Sequence, residues 1–92
     1  MVEGHAVFKA QKLLKVNLWH DGGRIEKIQV HGDFFLHPEE KITELESALI
    51  GVALDRAALY AAISSFLGTA TAFGFGAADL ASAILQAGGK NQ

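Results

Sequence analysis

The sequence KLLKVNLWHDGGRIEKIQVHG, residues 12–32, alternates apolar and polar side chains on both sides of an Asp-Gly-Gly turn. Leu14, Val16 and Leu18 fall on one face of an extended chain, and polar residues separate them. Asp-Gly and Gly-Gly pairs are typical of the tight turns that join antiparallel strands. The stretch therefore predicts a β-hairpin with one buried face.

The register of this hairpin can be predicted from its two faces. A three-residue loop over residues 21–23 sets apolar residues opposite apolar residues on the buried face. A two-residue loop shifts the pairing by one and sets leucine and valine opposite lysine and glutamine, so we expect the longer loop. The predicted cross-strand pairs are Leu14 with Val30, Val16 with Ile28 and, on the outer face, Trp19 with Ile25.

A third strand and three helices complete the predicted elements. The segment HAVFKA, residues 5–10, is rich in β-compatible residues, so we expect it to pair with the hairpin after a connection at residues 10–11. The second half of the chain has helical periodicity. The predicted apolar stripes are Ile42, Leu45 and Leu49, then Leu59, Ile63, Phe66 and Leu67, and finally Leu80, Ile84 and Ala87.

The helix boundaries have their own sequence signals. Pro38 suits a first helical position because its missing N–H needs no partner there, and Gly51 ends that helix. Asp55 is the expected N-cap of the second helix, and Gly68 closes it. Asp79 falls near the start of the last helix.

The order of these elements predicts the fold class. Strands come first and helices second, which is typical of an α+β domain with two layers. We expect one domain over residues 1–92, with a strand half at about residues 5–33 and a helix half at about residues 38–87. Its architecture would be a three-stranded antiparallel sheet followed by about three helices packed on one face.

Composition limits the function. The net charge of −2 argues against a nucleic-acid partner, which needs a basic patch. The absence of cysteine excludes disulfides, thiolate nucleophiles and cysteine-ligated metals. The start, MVEGHAVFKA, does not have the pattern of a signal peptide, so we expect a cytoplasmic protein. Residues 57–78 carry no charge, but their small residues and glycines indicate a loop between two helices rather than a membrane span.

The stretch HGDFFLHPEE, residues 31–40, holds the candidate site residues. Gly32 follows the inward-facing strand residues, where a side chain would collide with a crossing segment or where φ is positive. Asp33 suits an Asx turn that carries the chain out of the sheet, and a catalytic role is the alternative. Phe34 and Phe35 point to opposite faces of an extended chain, so one is expected to seal the core and the other to contact a partner.

Other motifs give little support to catalysis. The four histidines lack the close spacing of a helical ligand pair, so we expect no metal. AFGFGAAD has no following Lys-Ser or Lys-Thr, and Ser64 and Ser65 have no base beside them. We therefore expect no catalytic residue in this chain. The histidines are His5, His20, His31 and His37.

Two stretches resemble a known family. FKAQKLLKVNLW, residues 8–19, and GRIEKIQVHGDFFLHPEEKITELESALIGVALD, residues 23–55, are similar to the C-terminal accessory domain of lipoate-protein ligase. The family pattern has Gly-Lys-Leu leading into a strand, a Gly-(Arg/Lys)-Ile strand, Gly-Asp-Phe-Phe, and a helix that ends in Leu-x-Gly. In this chain Ala10-Gln11 replaces the usual Gly-rich turn before Lys12.

The resemblance implies a division of labour between two proteins. In that family a larger catalytic domain binds lipoate and ATP with Mg²⁺, makes lipoyl-adenylate and passes the lipoyl group to a lysine of a lipoyl-acceptor domain. The motifs of the catalytic domain are absent here, so the resemblance implies a separate accessory subunit in a heterodimer with the catalytic subunit. This chain alone would bind no cofactor.

The resemblance also assigns roles to residues. Lys12 matches the Gly-Lys-Leu lysine, and Gly32, Asp33, Phe34 and Phe35 match the Gly-Asp-Phe-Phe signature. These residues would support activation of lipoate or form the interface, and Trp19 is a further interface candidate. The alternative is a plain interaction module or homodimer that pairs through its Ala/Gly-rich helical segment. Iron-sulfur scaffold proteins share such a fold but need cysteines, which this chain lacks.

Overall fold

The computed structural model describes residues 2–33, 35–37, 40–68, 71–73 and 75–89. A three-stranded antiparallel sheet with the order β1-β2-β3 precedes the helices, which confirms the predicted α+β class and the predicted third strand. The strands are β1 (Val2–Lys9), β2 (Leu13–Asp21), β3 (Arg24–Gly32), β4 (Phe35–His37) and β5 (Thr71–Phe73). The helices are α1 (Lys41–Leu49), α2 (Arg56–Leu67) and α3 (Ala77–Ala87).

The core lies between the helices and one face of the three-stranded sheet. Leu14, Val16 and Leu18 of the central strand β2 are 0% exposed, as predicted for the inner face. Helix α3 packs on β1 and β2, and α1 packs on β3. The helix stripes supply the other side of the core, with Leu45, Leu49, Leu59, Ile63, Leu80 and Ile84 also fully buried.

The predicted register of the hairpin is wrong. Asp21 pairs with Arg24 around a two-residue turn, and a β-bulge follows, which leaves Glu26 of β3 without a partner. The bulge has a clear cause, because Ile25 and Ile28 are both buried although they stand three residues apart. It shifts the pairing by one residue, so apolar residues still meet on the inner face. The resulting pairs are Leu18 with Ile28, Val16 with Val30 and Leu14 with Gly32.

The predicted pair of Trp19 with Ile25 is also wrong. Ile25 is 1% exposed and belongs to the core, whereas Trp19 lies on the outer face. The cross-strand partner of Trp19 is Lys27, whose Nζ lies 5.0 Å from the centroid of the indole ring. We define the outer face as the side of the three-stranded sheet that carries Lys15, Asn17 and Trp19.

The helix ends agree with the sequence signals where they are described. Helix α1 begins at Lys41 after Glu40, and the predicted start at Pro38 lies outside the described residues. The carboxylate of Asp55 accepts the Ala58 N–H at 3.0 Å, which confirms the predicted N-cap of α2. The carboxylate of Asp79 accepts the Gly76 N–H at 2.9 Å at the start of α3.

A second, two-stranded sheet was not predicted. Strands β4 and β5 pair antiparallel, although residues 71–73 lie in the segment predicted as a loop between two helices. Each strand has three residues, which is too short for an alternating pattern to be recognised. Among the described residues, no helix is long and apolar enough to cross a membrane.

The edge of β3 that faces away from β2 is covered by side-chain and backbone hydrogen bonds. The carboxylate of Glu46 in α1 accepts the Val30 N–H at 2.8 Å. The Ile25 N–H donates to the Val52 carbonyl at 3.0 Å, and the Leu54 N–H donates to the Gly23 carbonyl at 2.8 Å. These bonds attach α1 and the link between α1 and α2 to the sheet, and they satisfy backbone groups of the edge strand.

Because α3 lies close to β1, a methyl group added at Gly4 is expected to destabilise the fold. A Cβ at Gly4 would collide with the Ala87 carbonyl oxygen at the end of α3. We expect Gly4→Ala to lower the free energy of unfolding by about 1–3 kcal/mol, as overpacking does, measured by urea denaturation. Gly68→Ala is the control, because Gly68 has φ −64° and the added Cβ would lie 3.4 Å from its nearest neighbour. Equal stability of the two variants would contradict this account.

Candidate functional site

The candidate site is a corner of the sheet where the connection from β1 to β2 meets the end of β3. The Ala10 N–H donates to the Lys12 carbonyl at 3.1 Å, which closes the short connection. Lys12 is exposed in this turn. The Asp33 N–H donates to the Leu13 carbonyl at 3.1 Å, so the residue after Gly32 lies beside the residue after Lys12. The structure thus brings Lys12, Gly32 and Asp33 to one corner.

Gly32 allows this corner to form. It has φ +143°, a conformation that residues with a Cβ rarely adopt, and a Cβ there would collide with the Leu13 carbonyl oxygen. Both reasons predicted for a glycine at this position are confirmed. Gly32 lies opposite Leu14 in the ladder, at the last pair of β3. A larger residue would push the two strands apart at the corner.

The corner carries two exposed charges of opposite sign. Lys12 and Asp33 are both exposed, and within the described part of the chain neither forms an ion pair. Phe34 lies outside the described residues, as does the side chain of Phe35, whose backbone belongs to β4. The predicted division of the two rings between core and partner therefore stays a prediction. So does the Asx turn, which would involve the N–H groups that follow Asp33.

Trp19 does not belong to the corner. It lies six residues along β2 from Leu13, which corresponds to about 20 Å at the rise of a strand. Its neighbours on the outer face are Glu3 of β1 and Lys27 of β3. The structure therefore places Trp19 toward the opposite end of β2 from Lys12, Gly32 and Asp33.

A hydrogen-bonded row crosses the outer face and was missed by sequence reasoning. The His5 Nδ1–H donates to Asn17 Oδ1 at 2.7 Å, and Asn17 Nδ2 donates to His31 Nε2 at 3.3 Å. His5 Nε2 lies 3.4 Å from a carboxylate oxygen of Glu3. The strand register places His5 opposite Asn17 and places His31 diagonal to Asn17, and the sequence pattern alone does not show this. In the described ranges, no group of histidine and carboxylate side chains is arranged to hold a metal ion.

These features define a small α+β domain whose distinctive polar residues lie on one open sheet face and at one of its corners. The chain belongs to the family described as bacterial lipoate protein ligase C-terminus, whose sequence profile matches residues 13–84. This match confirms the resemblance found in the sequence, and it extends beyond the Gly-Asp-Phe-Phe signature into α3.

Two comparisons point to an archaeal relative. The chain is 44% identical over 50 residues to the lipoate-protein ligase A subunit 2 of Thermoplasma acidophilum, an alignment that spans 53% of this chain and 53% of that protein. It also resembles a chain in the solved structure of an archaeal lipoylation system, a bi-partite lipoate protein ligase and its E2 lipoyl domain from Thermoplasma acidophilum. There the TM-score is 0.81 and the identity 30%, with 90% of this chain and 94% of that chain covered.

The geometry of Gly32 predicts that Gly32→Ala lowers the free energy of unfolding by more than positive φ alone would. Gly22 also has positive φ, at +59°, but a Cβ there would meet nothing within 4 Å. We expect Gly22→Ala to cost about 1 kcal/mol of unfolding free energy and Gly32→Ala about 3 kcal/mol, since only the second adds a collision. Amide hydrogen exchange at Asp33 should become faster in Gly32→Ala. Similar losses in both variants, with Asp33 exchange unchanged, would show that the close approach at Leu13 has no energetic weight.

Proposed function

We propose that this chain is the accessory subunit of a two-protein lipoate-protein ligase. It associates with a separate catalytic subunit and supports the ATP-dependent activation of lipoate to lipoyl-adenylate for protein lipoylation. The observation that carries this proposal is the similarity to a chain of the bi-partite ligase over 90% of this chain and 94% of that one. The family match to residues 13–84 supports it independently.

The cofactors belong to the partner in this proposal. ATP, Mg²⁺ and lipoate bind the catalytic subunit, and lipoyl-acceptor domains meet the complex rather than this chain alone. The complex is a heterodimer in the cytoplasm. This chain contributes the corner with Lys12, Gly32 and Asp33, together with the signature residues Phe34 and Phe35.

Two mechanisms are open to such a subunit. It can stabilise the closed, water-excluding conformation of the active site, or it can place the Lys12 ammonium near charge that develops on phosphate. We favour the conformational mechanism because the corner is built from backbone contacts, the Asp33 N–H to the Leu13 carbonyl among them. Such contacts present a defined shape to a partner.

An adenylation assay tests the proposal directly. With ATP, Mg²⁺ and lipoate, the catalytic subunit is expected to release pyrophosphate faster when this chain is present, and this chain alone should release none. Transfer from preformed lipoyl-adenylate to an acceptor domain should depend less on this chain. Adenylation that is equally fast without this chain would contradict the proposal and leave the plain interaction module in its place.

The variant Lys12→Ala separates the two mechanisms. Under the conformational mechanism we expect both the association with the catalytic subunit and the adenylation rate to stay within about twofold, because an exposed side chain at the rim adds little to binding energy. Association is measured by calorimetry and the rate by pyrophosphate release. A rate that falls about tenfold at unchanged affinity, and that Lys12→Arg restores, would assign the electrostatic mechanism to Lys12 instead.

A further inference from the structure

The outer face of the sheet carries a charge opposite in sign to that of the chain. The paired rows of this face hold Lys9, Lys15 and Lys27, with Glu3 as an acidic residue and the oppositely charged Asp21 and Arg24 paired in the ladder beside the turn. The chain as a whole has a net charge of −2. Beyond the rows, Lys12 and Asp33 offset one another at the corner. Positive charge is thus in excess on the outer face.

The lysines of the outer face have no carboxylate partner. Among the described residues, basic and acidic side chains meet where His5 contacts Glu3 and where Lys41 contacts Glu44, and neither contact involves the three lysines of this face. The helices pack on the inner side, so nothing in the described part of the chain covers the outer rows. Three ammonium groups that lack a carboxylate partner on an open face attract a negatively charged surface.

Several side chains of this face are already held in place. Trp19 is half-buried with the Lys27 ammonium 5.0 Å from its ring centroid. The row of His5, Asn17 and His31 is joined by hydrogen bonds of 2.7 Å and 3.3 Å across all three strands. A surface whose side chains are ordered before binding loses less conformational entropy when a partner docks. Trp19 supplies the aromatic anchor that interfaces favour.

We propose that the outer face docks an acidic surface of the catalytic subunit, an inference that rests on the proposed function and identifies the surface used. A second copy of this chain fits poorly, because two such faces would bring like charges together. A nucleic acid fits poorly with a chain of net charge −2. The outer face ends at Leu13, next to the corner, so one partner can contact both.

Calorimetric titration of the full chain with its cognate catalytic subunit tests the proposal. In Lys15→Gln/Lys27→Gln, which removes two positive charges from the outer face, we expect the dissociation constant to rise about tenfold near 50 mM salt. The affinity of the wild type should weaken as salt rises, and that of the variant should depend less on salt. The control Ala57→Glu/Ser65→Glu changes the net charge equally at exposed positions of α2, and it should stay within about twofold of the wild type.

The outcomes separate this inference from the proposed function. Wild-type binding that the glutamine variant leaves unchanged, or that the control weakens equally, would overturn the inference and leave the proposed function standing. No binding of the wild type would overturn both. A homodimer of the wild type that the glutamine variant abolishes would assign the face to a second copy and overturn the inference.

A second measurement reports on the face without removing any charge. The chain contains one tryptophan, so 5-fluorotryptophan incorporated into this chain alone gives a single ¹⁹F signal, from Trp19. Addition of unlabelled catalytic subunit should shift this signal, because docking changes the solvent and the charges around the indole ring. A complex that forms while the ¹⁹F signal stays in place would overturn the inference.

Discussion

The structure depends on the burial of one row of side chains on the central strand. Leu14, Val16 and Leu18 of β2 are 0% exposed. Strands β1 and β3 flank β2, helix α3 packs on β1 and β2, and helix α1 packs on β3. Successive residues of a strand point to opposite sides, so burial of this row directs Lys15, Asn17 and Trp19 outward. The open face, with its lysines and its hydrogen-bonded row, is a consequence of how the core is built.

The bulge in β3 reconciles the turn with that core. A two-residue turn would by itself set Leu18 opposite Lys27. The three-residue loop predicted from the sequence avoided this pairing, but it placed Ile25 on the outer face of the sheet. The chain keeps the short turn and adds one unpaired residue, Glu26, after which apolar pairing resumes. The spacing of Ile25 and Ile28 was the available signal, because two buried residues three apart in a strand require a bulge.

The same register creates the corner. Gly32 lies opposite Leu14, and its positive φ lets the chain turn away so that the Asp33 N–H reaches the Leu13 carbonyl. The family signature therefore has a physical reason at its glycine, which is close backbone approach. In contrast, the edge of β3 that faces away from β2 is covered within this chain, since Glu46 and the link between α1 and α2 form hydrogen bonds with its backbone groups.

Local sequence signals determined the strands β1, β2 and β3, the inner row of β2, the Asp55 cap, the helix stripes and the need for a glycine at position 32. These features depend on residues close in sequence, where periodicity and cap chemistry can be recognised. Tertiary structure alone decided the β4-β5 pairing, the contact of Gly4 with the end of α3, and the row of His5, Asn17 and His31. The physical reason is that each of these joins distant segments, whose relative position follows from packing the whole core and from no single stretch of the chain.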